Sequence, residues 1–371
     1  MNTNKVLSLM IKPSSSTCNL KCDYCFYLDE SFNRESPNRG FMSYDTMENI
    51  IKKAFEMDCR VSFIFQGGEP SLVGLAWFEK FIEMENLYKS DDSIIEHFFQ
   101  TNGTNIDENW AKFFKDNNFL VGVSYDGHNR IHDIHRIQVN GKKSSRLVNK
   151  GLTNLKTEGV EYNILSVVTN EVAENIDIVY QGLLDKEAYF QQFIACLDPM
   201  LESNENKYLD PVVYGKFLIR LFDLWTRSLD DGYNVSIRLF NNFISILMGY
   251  PPEACDMMGN CSIQYVIEAD GDVYPCDFFC LDSYKLGNIN TESYSDFDKQ
   301  RTEIKFIEKS LIKPDECIKC KYFNLCRGGC PRYASKETNK FRFCESYKML
   351  FDARLDQFEK IANNIIAHEA K

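Results

Sequence analysis

A partial (β/α)6 barrel of TIM type followed by a cysteine-rich C-terminal domain is the α/β fold class that this 371-residue sequence predicts. Three observations carry the prediction. From residue 6 to about residue 200, β-rich apolar runs alternate with longer amphipathic stretches, the pattern of repeated βα units. Polar or glycine-bearing sequences follow the ends of the strands, where a barrel builds its functional face. Beyond residue 250 the texture changes to short strands, turns and cysteines. The division expected is a barrel over 1–230, a cysteine-rich domain over 231–350 and a terminal helix over 351–371.

The six strands expected are VLSLMIK, RVSFIFQ, IIEHFFQT, FLVGVSYD, YNILSVVT and YFQQFIA, and six units are fewer than a closed barrel requires. Helices fit between them, such as SYDTMENIIKKAFEM, which Ser43 can cap, and IDENWAKFFKDN, with Asp107 near its start. CNLKC follows the first strand, GGEP the second, NGT the third and DG the fourth, so these motifs should converge. LESNENKYLDP reads as a linker, and Tyr208 to about Ser228 as a helix leading out of the barrel. IQYVIEADGDVYPC carries a hairpin signal at Asp270-Gly271, and SYKMLFDARLDQFEKIANNII has helical periodicity.

Composition narrows the function. Residues are 44% hydrophobic, enough for a large core. The 54 acidic against 42 basic residues give a net charge of -12, and no Lys/Arg cluster forms a phosphate-tracking stripe, so no nucleic-acid partner is expected. The apolar start is too short for a signal-peptide core or a membrane span and ends at Lys12-Pro13, which predicts a cytoplasmic protein without a membrane partner. In that compartment fourteen cysteines are not readily structural disulfides, and metal binding leads.

Eleven of the fourteen fall into ligand-like groups. Cys18-x3-Cys22-x2-Cys25 offers three thiolates, one fewer than a closed site takes, which leaves a coordination position open for chemistry. Further on, Cys317-x2-Cys320-x5-Cys326-x3-Cys330 offers four ligands, and Cys255-x5-Cys261-x14-Cys276 with Cys344 offers four more. Zinc would suit the two closed sets, but the N-terminal triplet favours iron-sulfur. Cys59, Cys196 and Cys280 are left over and read as buried, apolar packing residues.

The triplet followed by Phe26 resembles the signature of radical S-adenosylmethionine (SAM) enzymes, and Gly67-Gly68-Glu69-Pro70 resembles their loop for the methionine part of SAM. The C-terminal cysteines resemble the SPASM domain, which carries two auxiliary [4Fe-4S] clusters. FQGGEP, QTNGT, YPCDFF, LGNI and CKYFNLCRGGC, in this order, resemble the anaerobic sulfatase-maturating enzymes from about residue 6 to 350. The resemblance implies three [4Fe-4S] clusters and SAM as cofactors, the latter on the fourth iron of the triplet's cluster and contacted by Tyr24, Gly68, Ser124, Arg136 and Leu197. It groups Cys255, Cys261, Cys276 and Cys330 around one auxiliary cluster and Cys317, Cys320, Cys326 and Cys344 around the other. Spacing alone would place Cys330 with Cys317, Cys320 and Cys326.

The same resemblance implies oxidation of a peptidyl cysteine or serine of an unfolded sulfatase to Cα-formylglycine. Asp277 would act as the base, and a carrier such as flavodoxin or ferredoxin would supply electrons. Asp277 could otherwise be a solvated turn residue; it follows Cys276 directly, and the resemblance to the family favours the base. The same machinery could instead form a thioether or other crosslink in a ribosomally made peptide, and a non-catalytic zinc-stapled binding module is the rival of another class. His128, His132 and His135 have spacings that suit a metal on a helix, yet they follow Asp126-Gly127 in what reads as a loop, which favours surface or supporting roles. No nucleotide-binding glycine loop is present, and neither Cys59 nor Cys196 shows the neighbouring base a nucleophile needs.

Overall fold

The computed structural model describes residues 6–57, 59–200 and 208–369. The chain divides into two compact units, each discontinuous in sequence. The first comprises the chain up to Tyr125 with His132–Asn163 and Ile263–Ile304; the second comprises Asp126–Ile131, Ile164–Ser262 and the chain from Lys305 on. These units cut across the ranges expected from composition, because the hairpin segment after residue 262 belongs with the N-terminal strands.

In the first unit β1 (Val6–Ile11), β2 (Arg60–Phe65), β3 (Ile95–Thr101) and β4 (Phe119–Ser124) pair side by side in parallel, with Leu9 opposite Phe63 and Phe63 opposite His97. Parallel strands need helical crossovers, and the sequence caps them where it can. Ser43 accepts the Thr46 amide at 3.1 Å to start helix Tyr44–Phe55, and Asp107 accepts the Trp110 amide at 3.0 Å to start Glu108–Asp116. Helices and strands meet in an aromatic layer in which Phe65 packs edge-on against Phe78 and Phe81, at centroid separations of 5.0 and 4.9 Å.

The second unit holds β5 (Tyr162–Val168) from Ile164 on, β6 (Phe190–Ala195) and a two-residue β7 (Ser236–Ile237), again parallel. The six expected strands therefore lie where the sequence places them, and β7 is an addition too short to carry a hydrophobic pattern. The exit helix spans Pro211–Asp230 rather than starting at Tyr208: Asp210 accepts the Val212 and Val213 amides at 2.8 and 3.0 Å, and Pro211 fits the first helical position. Most of the expected linker lies outside the described residues. The terminal helix Cys344–Glu369 packs Phe358 onto Phe222 at 4.4 Å and Phe351 onto Phe243 at 5.0 Å.

Sequence reading did not foresee where the hairpin goes. β8 (Tyr265–Ile267) runs parallel to β1, with Met10 opposite Val266, and β9 (Asp272–Tyr274) turns back antiparallel. A short β10 (Gly287–Asn288) completes the order β10-β9-β8-β1-β2-β3-β4 in the first unit. The outer edge of β1 is thus covered, as a buried edge with unpaired amides must be. Among the described residues no helix is long and apolar enough to cross a membrane.

Phe358 is fully buried among Phe222, Phe240 and Phe243. Phe358→Ala should destabilise the protein by about 3–5 kcal/mol, through lost burial plus a residual cavity, as read from the midpoint of urea unfolding.

Candidate active site

Loops at the C-terminal ends of β1, β2 and β3 converge in the first unit. The loop after β1 carries Cys18 and Cys22, and Cys25 stands at the N-terminus of helix Phe26–Phe32. The GGEP loop is hydrogen-bonded to it: the Gly68 amide donates to Ser15 O and the Glu69 amide to Thr17 O, both at 2.8 Å. This approach demands glycine. Gly67 has φ +122°, and a Cβ on Gly68 would lie 2.2 Å from Thr17 O. Glu69, fully buried, accepts from Thr101 Oγ1 at 2.8 Å and the Asn102 amide at 2.7 Å, tying the third loop in. Asn102 in turn donates to Asn19 Oδ1 at 2.8 Å and faces Cys18 Sγ at 3.7 Å.

The triplet's thiols are all free of disulfides. Burial lifts Cys18 to about 12, reinforced by Glu69, while the Leu20 amide works the other way. Burial also raises Cys25, opposed by the Leu28 and Tyr27 amides and by Arg136. Three thiols on one loop, braced by glycines that admit no Cβ, are a donor set that fits a cluster with an open position. Of the residues expected to contact SAM, Tyr24 and Arg136 lie together, the guanidinium 5.6 Å from the Tyr24 ring centroid. Gly68 is in the braced loop, and Ser124, at the end of β4, accepts from Gln100 Nε2 at 3.3 Å. Leu197 belongs to the second unit, buried just after β6.

Asp277 is buried, with 7% of its surface exposed, in the turn after Cys276. Its Oδ2 accepts from Tyr27 Oη at 2.7 Å and Gln66 Nε2 at 2.9 Å, and Oδ1 lies 3.0 Å from Lys12 Nζ. It is not a solvated turn residue. Lys12, 1% exposed, also donates to Cys280 Sγ at 3.1 Å and stands 3.8 Å from Glu30 and 3.7 Å from Glu268. Arg34 completes the cluster, 2.6 Å from Glu268 and 3.3 Å from Glu30. Cys280 is fully buried with Val266 and Tyr274, as expected of a packing residue, and it is also a partner of the buried ammonium.

Two cations face three carboxyls here, and the charges settle accordingly. Burial opposes the Lys12 ammonium, yet Asp277, Cys280, Glu268 and Glu30 together hold its pKa well above the usual value. Burial likewise works against the Glu268 carboxylate, and Lys12 and Arg34 override it, leaving Glu268 below its ordinary range. Glu30 goes the other way: burial, with help from Asp277, lifts it to about 7 against the pull of Lys12 and Arg34.

None of Lys12, Tyr27, Glu30, Arg34, Gln66 or Glu268 was singled out from the sequence. A signal existed for three of them. Lys12, Gln66 and Glu268 each stand immediately after the last residue of a strand, where side chains of an α/β protein face the functional end.

The remaining cysteines fall into electrostatic neighbourhoods in the second unit. Burial lifts Cys330 to about 12, and its thiol neighbours are Cys255 and Cys261; Cys326, lifted by burial to about 11, faces Cys344, Cys317 and Cys320. The electrostatic neighbours of Cys330 thus differ from the set that spacing alone gave it, and between Cys326 and Cys330 the chain turns through positive φ at Arg327, Gly328 and Gly329. Cys276 belongs to the first unit. Among the described residues no three His, Cys, Asp or Glu side chains converge on a point that could hold one metal ion; the thiolates of a four-iron cluster each bind a separate iron. Of the histidines, His132 and His135 lie on a short helix, Asn129–His135, not in a loop. His132 is buried against Ser144 Oγ at 3.0 Å, and His135 pairs with Asp23 at 2.9 Å.

A parallel α/β sheet with a three-cysteine loop after its first strand, and a cysteine-rich segment whose hairpin extends the same sheet, define a radical SAM protein with a SPASM domain. Family models agree: the Radical SAM superfamily matches residues 13–180 and the SPASM iron-sulfur cluster-binding domain residues 255–321. The chain is 43% identical to a cysteine-type anaerobic sulfatase-maturating enzyme of Clostridium novyi, over 97% of this chain and 98% of that one. It is 31% identical to a serine-type enzyme of Bacteroides thetaiotaomicron, over 94% and 89%. The solved structure of native anSMEcpe with bound AdoMet superposes with a TM-score of 0.91 at 41% identity, covering 97% of this chain and all of that one. The chain belongs to the anaerobic sulfatase-maturating enzyme family.

Glu30 gives the fold a pH dependence of known sign. Its folded pKa of about 7 lies above the ordinary 4.5, so its stabilising contribution is complete below pH 4.5 and is lost as pH rises through about 7. Glu30→Gln, which keeps the neutral shape, should lose less stability than the parent between about pH 5 and pH 8, by up to about 3 kcal/mol, in parallel urea titrations under anaerobic conditions.

Proposed function

We propose that this chain oxidises the Cβ of a peptidyl cysteine in an unfolded sulfatase segment to Cα-formylglycine, with serine as the lesser substrate. The family supplies the reaction class, and the greater identity to the cysteine-type relative favours cysteine. One structural observation carries the chemistry: Asp277 is a buried carboxylate pinned at both oxygens, by Lys12 on one and by Tyr27 and Gln66 on the other, in the residue after a cysteine of the SPASM segment.

Cys18, Cys22 and Cys25 would hold the cluster that binds SAM, with Tyr24, Gly68, Ser124 and Arg136 contacting the cofactor, to which the resemblance adds Leu197. Cys255, Cys261, Cys276 and Cys330, and Cys317, Cys320, Cys326 and Cys344, would hold two auxiliary clusters, making three in all. When bound, these groups supply a deoxyadenosyl radical that takes one hydrogen atom from the substrate Cβ, and an auxiliary cluster that accepts one electron. The chain's own residues handle the proton. Asp277 accepts it from the substrate thiol, so that one hydrogen atom, one electron and one proton leave CH2–SH and a thioaldehyde remains for water to hydrolyse. Tyr27 and Gln66 fix the carboxylate plane by donating to Oδ2, and Lys12 neutralises the charge that burial would otherwise penalise. A one-electron donor is required by the class; a cytoplasmic flavodoxin or ferredoxin would suit it.

Incubated with SAM, a reductant and a peptide bearing a sulfatase cysteine motif, the protein should convert CH2–SH to CHO, read by mass spectrometry. A stable product lighter by only two hydrogens would instead indicate crosslinking and overturn the reading. Cys22→Ala should abolish deoxyadenosine formation, whereas Asp277→Asn should retain it while formylglycine falls by about 100-fold or more.

A further inference from the structure

Lys313 takes no part in the reaction described above, and its surroundings differ from those of three paired lysines of the cysteine-rich segment. Lys340 pairs with Glu316 at 3.1 Å, Lys321 with Asp352 at 2.8 Å and Lys348 with Glu345 at 3.0 Å. Lys313 is half-buried, and among the described residues no carboxylate pairs with it. Its side chain lies across the glycine turn between Cys326 and Cys330. Nζ stands 3.4 Å from Gly329 O, and a Cβ on Gly328, which has φ +82°, would meet Lys313 Cδ at 2.8 Å and Cε at 3.1 Å.

That turn joins Cys326 of one set to Cys330 of the other, so the ammonium lies against the backbone that links the two sets. Burial holds the Lys313 pKa below its usual value, and Cys261, Cys330, Cys317 and Cys326 oppose that shift without cancelling it. A half-buried cation is costly without a counter-charge, and four ligating thiolates on anionic clusters would supply one. The local composition points the same way: residues 305–350 hold eleven Lys and Arg against five Asp and Glu, in a chain of net charge -12.

We propose that Lys313 is a tuning cation shared by the two auxiliary clusters, stabilising the electron-loaded form of each and so raising their reduction potentials. The proposal rests on the cluster assignment given under the proposed function. The step it affects is the arrival of one electron from the substrate on an oxidised cluster; no bond forms or breaks, and Lys313 keeps its proton. Lowering the potential by removing the cation would make the cluster a poorer acceptor.

The test uses full-length protein carrying Cys18→Ala, Cys22→Ala and Cys25→Ala, so that only auxiliary clusters contribute. Lys313→Met and Lys313→Arg are compared with this parent by iron and sulfide content and by redox titration followed by electron paramagnetic resonance. Lys313→Met should hold the same iron and titrate lower by about 59 mV, a tenfold change in a one-electron equilibrium, while Lys313→Arg stays near the parent. Unchanged midpoints in a fully loaded Lys313→Met, or equal shifts in both variants, would overturn the proposal and leave the cluster assignment standing. Iron absent from the triplet-less parent would overturn the assignment and the proposal together. Should Lys313→Met lose iron, Lys313→Gln takes its place, and loss of iron there too would show a structural role in place of tuning.

Discussion

A single ammonium group, buried to 1% exposure at the end of the first strand, is the constraint on which the catalytic end of the first unit is built. Removing an amine of this kind from water costs several kcal/mol, and only surrounding anions make it tolerable. Lys12 therefore dictates its company: Asp277 from the turn after Cys276, Glu30 from the helix behind the triplet, Glu268 from the end of β8 and the Cys280 sulfur. Three separate stretches of chain are drawn to this one ammonium, with Asp277 and Cys280 supplied by the same turn. The carboxylate proposed to accept the substrate's proton owes its fixed orientation to a group that itself need never touch substrate.

Such an arrangement combines rigidity with a small reserve. With two cations against three carboxyls, the cluster leaves one acid undecided near neutral pH, and Glu30 fills that place. Loss of a cation would leave Asp277 buried with a hydroxyl and an amide as its remaining partners, a costlier state than ordinary solvent exposure.

Much of this was legible in the sequence, and what was not has identifiable physical reasons. The six strands announce themselves as β-rich runs, and caps such as Ser43 and Asp107 work as the local chemistry says they should. The triplet and the glycine loop are short-range patterns, and glycine at 67 and 68 is dictated by one backbone pressing on another. Long-range pairing is different. Nothing local says that β8 adds beside β1, two hundred and more residues away, or that Cys330 faces Cys255 and Cys261 rather than its near neighbours. The charged cluster was missed because lysine and glutamate usually signify a wetted surface. A rule of position, that the residue directly after a strand faces the working end, would have recovered Lys12, Gln66 and Glu268.

The pairing of β8 with β1 also bears on how such proteins diversify. Because the cysteine-rich segment contributes strands to the sheet that carries the triplet, it is no detachable appendage. Grafting this segment from one relative onto the barrel of another would transplant a sheet border and the seat of Asp277 along with it. New chemistry in this architecture is thus more readily gained by altering the loops than by exchanging modules.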